Sequence, residues 1–232
     1  GLDMLDELAG WGLTPPVISA DAGYGDNNAF RLGLEERGLD YVLAVKASTS
    51  VHAVDAVPET VPYKGTGRPS VPRYRSEHST LRALALNAGR RSLRQVTWRQ
   101  GTKKTAGNPT AKMRSRFLSI QVRPANRTIP RLPDGTLPVR WLLAEWPPGH
   151  SEPTDYWLSN LPEGTPLREL VRLAKIRWRI EHDYRELKTG LGLTHFEGRS
   201  FTGWHRHVTL VTAAHLFLTQ LRLASPKAAG AA

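Results

Sequence analysis

The chain has 232 residues, a formal net charge of +11 from 32 Lys and Arg against 21 Asp and Glu, and a pI near 10.3. It has no Cys, which excludes disulfides and thiolate metal sites and fits a reducing cytoplasm. No apolar run approaches the ~20 residues that span a bilayer, so no membrane partner is expected, while the basic surplus favours a polyanionic partner, nucleic acid first.

In chain order, "GLDMLDELAG" places Leu2, Leu5 and Leu8 on one side and predicts a helix over 2–11. "PPVISAD" reads as a strand entered from a Pro pair and ending at Asp21, with "GYG" as the turn beyond it. "DNNAFRLGLEERG" predicts a helix capped by Asp26 or Asn27 and stopped by Gly38. "LDYVLAVKA" predicts an apolar strand of the kind buried on both faces of a parallel sheet. Residues 2–46 therefore read as helix, strand, helix, strand, an α/β layout with a parallel pair.

From 47 to 135 the chain turns rich in Pro, Gly, Arg, Ser and Thr, and the periodic signal fades. This stretch reads as a β-rich insertion with strands at 94–101 and 116–124 and an exposed basic tip between them. Lys103, Lys104, Lys112, Arg114 and Arg116 crowd there, either as a solvated loop or as contacts to a DNA backbone. "PVRWLLAEW" (138–146) and "TDYWLSNL" (154–161) predict two more strands. One long helix is expected next, capped by Thr165, with Pro166 in its first turn and Gly190 at its end. A last helix is expected over 203–223, then a disordered tail over 224–232.

The long helix carries the densest charge. At about 100° per residue with Arg177 at zero, Glu181 falls at about 40°, Tyr184 at about −20° and Lys188 at about 20°. Leu173, Ile176, Ile180, Leu187 and Leu191 form an adjacent stripe that should face the core, and Glu186 points the opposite way, to water. On spacing alone, Arg177 and Glu181 read as an i,i+4 ion pair. The sharper reading adds Asp21. It sits at the carboxyl end of a strand, where ligands of α/β sheets gather. With a carboxylate from a covering helix it would hold Mg²⁺, which prefers oxygen ligands. Among other candidates, Asp26 reads as a helix cap before a metal ligand. His205 and His207, two apart on a helix, do not face one way and read as packing or phosphate contacts.

"RWRIEHDYRELKTGLGLTHFEGRSFTGWHRH", with "ISADAGYGD" and "WLLAEWP", resembles the DDE transposases of bacterial insertion sequences. These are DDE superfamily endonucleases with a ribonuclease H-like core. In that group the catalytic Glu lies in a pattern of Tyr, two residues, Arg, three residues, Glu, six residues, Lys. Arg177, Glu181 and Lys188 match it here, while the Tyr position holds Ala174 and Tyr184 stands on the same face. The resemblance implies an α/β ribonuclease H-like core, incomplete at its N-terminus. Its first part would be 1–46, the β-rich insertion 47–135, and the remainder with the Glu-bearing and last helices 136–223. It implies Asp21 and Glu181 as catalytic metal ligands in a two-ion site for Mg²⁺ or Mn²⁺. Arg177, Lys188, Tyr184, Lys103 and Lys104 would contact DNA phosphates.

The family also needs a first Asp on the opening strand, and Asp3 and Asp6 fall in a helical pattern instead. The expectation is that this chain is a C-terminal portion lacking that Asp and inactive alone. The complete protein would cleave the ends of a transposon in double-stranded DNA and join them to target DNA, as a homodimer on paired ends, in the bacterial nucleoid. The alternatives are a non-catalytic DNA-binding remnant of a decayed element, and a ribonuclease H-like nuclease unrelated to transposition.

Overall fold

A computed structural model describes residues 1–224 apart from 61, 64, 68–71, 76, 102 and 103. The tail expected over 224–232 lies, from 225 on, outside the described residues, as does Lys103. The chain divides into two compact units, Gly1–Lys175 and Ile176–Ala232.

The first unit is a mixed α/β structure around one eight-stranded sheet. Helix α1 (Leu2–Gly10) leads to strand β1 (Ile18–Ala20), the short helix α2 (Ala22–Gly25), helix α3 (Asn28–Glu36) and strand β2 (Tyr41–Val45). The parallel pair expected from the sequence is present, with Ile18 opposite Tyr41 and Ala20 opposite Leu43. Asn27 caps α3 by accepting from Phe30 N–H at 3.2 Å, and Gly38 ends the turn beyond it at φ 65°. The "GYG" turn is instead helical, because Asp21 caps it.

The rest of the sheet is antiparallel. Strands β3 (Ser50–Ala53), β4 (Ser79–Thr80), β5 (Arg94–Gln100), β6 (Lys112–Pro124), β7 (Arg140–Glu145) and β8 (Asp155–Ser159) extend it from β2 in the order β1-β2-β8-β7-β6-β3-β4. β6 is long enough to pair β7 along one edge and β5, then β3, along the other. Strands from 47–135 are thus continuous with β1, β2, β7 and β8 in one sheet. Among the described residues the outer edge of β1 carries no strand.

Both faces of the sheet are covered, as the alternation of apolar residues requires. On one face Val42, Phe117, Leu143 and Trp157 pack against Leu170, Val171, Leu173 and Ala174 of helix α5 (Leu167–Lys175). On the other, Val45, Leu118, Val122, Leu142 and Leu158 pack against Leu81 and Ala85 of helix α4 (Leu81–Ala88). Leu34 of α3 closes the β2 end with Leu39, Tyr41 and Leu43. Burying some thirty apolar side chains at about 1.5–3 kcal/mol each is what offsets the entropy of ordering this unit.

The single long helix expected over 166–190 is not formed. It is interrupted at residues 176 and 177, giving α5, helix α6 (Trp178–Arg185) and a π-helical turn (Glu186–Gly190). The Thr165 hydroxyl donates to Pro162 O at 2.7 Å and does not cap α5. The apolar stripe drawn along one continuous helix is therefore cut. Leu173 is buried in the first unit, whereas Ile180 of the second is 49% exposed.

In the second unit, helix α7 (Phe201–Ala224) follows the π-helical turn and a connecting loop. Glu186, expected to face water, is taken by Arg222 of α7 through bonds of 2.8 and 3.0 Å. His215 Nε2 of α7 lies 3.4 Å from the same carboxylate. Arg222 holds the Glu186 carboxyl below its usual pKa against the opposing effect of burial. Phe196 sits against Trp204 and His207, whose Nε2 lies 3.0 Å from Gly192 O. His207 thus packs the loop onto α7. Among the described residues no helix is long and apolar enough to cross a membrane.

Candidate functional site

Asp21 follows directly on β1, at the carboxyl end of the parallel pair, where its strand feeds α2. Its backbone is extended, with φ −79° and ψ 179°, and Oδ1 accepts from Gly23 N–H at 3.0 Å. The side chain is exposed, and Oδ2 has no hydrogen-bond partner among the described residues. One oxygen therefore fixes the carboxylate and the other is open to a ligand.

The turn beyond is held close to the sheet. Gly25 approaches β2 so tightly that a Cβ there would lie 1.8 Å from Ala44 O, which is why this position takes Gly. The buried Arg31 guanidinium donates to Gly25 O and, at 3.1 Å, to Asn28 Oδ1. Asp26 is not the cap of α3. Its Oδ1 accepts from Lys46 N–H at 2.9 Å and Thr49 Oγ1 at 3.3 Å, pinning the β2–β3 turn to the end of α2. Lys46 Nζ stands 3.4 Å from Oδ2. Sequence reasoning missed Arg31 and this use of Asp26. An Arg in the middle of an apolar helix pattern, six residues after a Gly, was the available signal.

In the second unit, Glu181 is exposed in the first turn of α6, and Arg177 occupies the N-cap position. The ion pair that the spacing predicts is absent: no salt bridge joins Arg177 to Glu181 among the described residues. A carboxylate near a helix N-terminus is favoured by the helix dipole without a cationic partner. Tyr184 is 55% exposed, and Lys188 Nζ lies 5.8 Å from its ring centroid. The expected closeness of Tyr184 and Lys188 is present, though Lys188 now stands on the π-helical turn. Trp178 rings meet His182 edge-on at 5.9 Å.

On β6, Lys112, Arg114 and Arg116 alternate along one exposed edge of the hairpin, opposite Gln100, Thr97 and Gln95 of β5. Val96 and Phe117 turn to the core instead. Lys104 is exposed at the hairpin tip, beside the Thr105–Asn108 bridge.

Asp21 and Glu181 belong to different units and are described each within its own. Among the described residues both offer unpaired, exposed carboxylate oxygens, the donor type that a hard divalent cation takes. Among the described residues no group of three or more His, Asp or Glu is gathered to hold a metal ion.

Residues 1–105 match the model of the DDE superfamily endonuclease family. Over this stretch, a little under half of its length, the chain is similar to the DDE-type endonucleases, nucleases that generally depend on a divalent metal. The matched stretch contains Asp21 and ends before Glu181. No curated protein matches the chain.

Proposed function

We propose that the chain forms part of the catalytic region of a transposase that cuts the ends of an insertion element and joins them to target DNA. Asp21 and Glu181 are the metal-holding carboxylates of this reading. They would hold Mg²⁺ or Mn²⁺, which would supply Lewis acidity to the attacking water or 3′-hydroxyl and to the leaving oxygen. Arg177 and Lys188 grip the phosphates flanking the cut, with Tyr184 beside Lys188. Lys103, Lys104 and the β6 cations contact the backbone further along. A third carboxylate, on a strand added to the open edge of β1, completes the set in a ribonuclease H-like arrangement, and two such proteins pair the two DNA ends.

The observation that carries this reading is the family match over residues 1–105, with its Asp at the carboxyl end of a parallel strand and one oxygen free. The test is Glu181→Ala in the complete protein, assayed on DNA carrying the element's ends. Metal-dependent cleavage should fall to background while salt-sensitive DNA binding persists. Cleavage at the wild-type rate refutes the assignment.

A further inference from the structure

The loop over 125–137 follows β6 and meets residues 72–75, 77 and 78 in the first unit. Between them opens a cleft of about 740 Å³. Arg73, Arg127 and Arg131 line it together with His52 and His78, and no Asp or Glu is among its described lining residues. The nearby Glu59 is already engaged, 3.5 Å from Arg75. Three arginines therefore line one cleft with no carboxylate among its described lining residues.

The walls are fixed rather than loose. His52, 8% exposed on β3, stacks on Tyr74 with ring centroids 4.5 Å apart and planes 17° from parallel. The Tyr74 hydroxyl accepts from Leu137 N–H at 2.9 Å, which ties the two segments together. The Arg131 guanidinium lies 5.5 Å from the Tyr74 ring centroid and donates to Gly135 O at 2.9 Å. Burial, with the charges of His78 and Arg131 beside it, pushes the His52 imidazole below its usual pKa. The ring is then a neutral wall and the arginines supply the charge.

We propose that this cleft binds a phosphate group of a DNA strand, through residues other than those assigned to cleavage. An anion in the cleft is met by arginine side chains from both of its walls, whose planar forks match phosphate oxygens. The volume lies in the range of about 300–1,000 Å³ that accommodates a nucleotide-sized group, which favours a strand over a lone ion. That the phosphate belongs to DNA rests on the nuclease reading above.

Fluorescence anisotropy of a labelled DNA duplex in EDTA, over a salt series, reads this site without any cleavage. Each phosphate contact contributes about 0.9 to the slope of log affinity against log salt. Arg73→Ala/Arg127→Ala is expected to lower the slope by about 1.8, two contacts at that value. Lys at both positions should restore most of the slope, which a folding defect would not allow. In parallel, the His52 and His78 ring resonances are followed by NMR during separate titrations with duplex and with inorganic phosphate. Shifts with duplex, at concentrations where inorganic phosphate gives none, are expected. Shifts with inorganic phosphate alone overturn DNA as the source. A double Ala variant with wild-type affinity and slope overturns the cleft and leaves the nuclease reading standing. A wild-type protein that does not bind the duplex overturns both.

Discussion

Lys175 closes α5 and reaches back to the sheet, where its ammonium pairs with the Glu145 carboxylate of β7. The Glu145 side chain is only 8% exposed and that of Lys175 22%. Three rings surround the ammonium, with centroids 5.1 Å away for Trp157, 5.3 Å for Trp98 and 5.9 Å for Phe117. Lys175→Met keeps most of the aliphatic stem but strands a buried carboxylate. Breaking a buried pair by removing one partner costs about 3–5 kcal/mol. The partial exposure of Lys175 lowers the expectation to about 2–4 kcal/mol, including lost cation–π attraction of about 0.5–1 kcal/mol. Glu145→Leu added to Lys175→Met removes the stranded charge and should return stability to within about 1–2 kcal/mol of wild type. Urea unfolding reads the cycle, with Trp98 and Trp157 as local fluorophores. A Lys175→Met cost below about 1 kcal/mol, or a double variant equal to the sum of the two singles, would refute the coupling.

Two further outcomes test the frame around Asp21. Gly25→Ala places a methyl group against Ala44 O, so β2 or α2 must move; a loss of about 2–4 kcal/mol in chemical denaturation is expected. Tyr41, buried and donating to Glu35 at 2.8 Å, has its pKa raised, chiefly by burial and then by the Glu35 charge. The unfolded chain loses this proton near pH 10 while the folded protein keeps it. Stability should therefore fall as pH rises above about 10, by up to about 1.4 kcal/mol per pH unit. Tyr41→Phe should flatten that fall in alkaline unfolding curves; an unchanged slope would mean Tyr41 ionises freely in the fold.

Much of the first unit is legible in the sequence because its signals are local. The Pro pair, the apolar triplets and Asn27 mark β1, α3 and β2, and the alternation in 94–101, 116–124 and 138–146 marks β5, β6 and β7. Helix α4 is equally marked, although the β-rich reading of 47–135 does not include it. Thr80 caps it by accepting from Ala83 N–H at 3.1 Å, Leu81 and Ala85 are its buried pair, and Gly89 ends it at φ 70°. Those signals are diluted by the Pro- and Gly-rich composition on either side. The interruption at residues 176 and 177 had no such mark, since no Gly or Pro lies between 167 and 189. What ends α5 is tertiary: its apolar face is spent at Ala174, and Lys175 is drawn to Glu145. The same limit applies to the carboxylates. Helix periodicity places Glu181 beside Tyr184, but the proposed pairing of Asp21 with Glu181, 160 positions apart, is not written in any local pattern.

Asp21→Cys/Glu181→Cys offers the most direct test of that pairing, because the wild-type chain has no Cys and these two become its sole thiols. A short bifunctional maleimide, followed by peptide mapping, reports whether they meet. The account predicts one intramolecular bridge joining the peptides that carry positions 21 and 181, with divalent metal binding lost in the same variant. Both thiols modified singly and never bridged would contradict it.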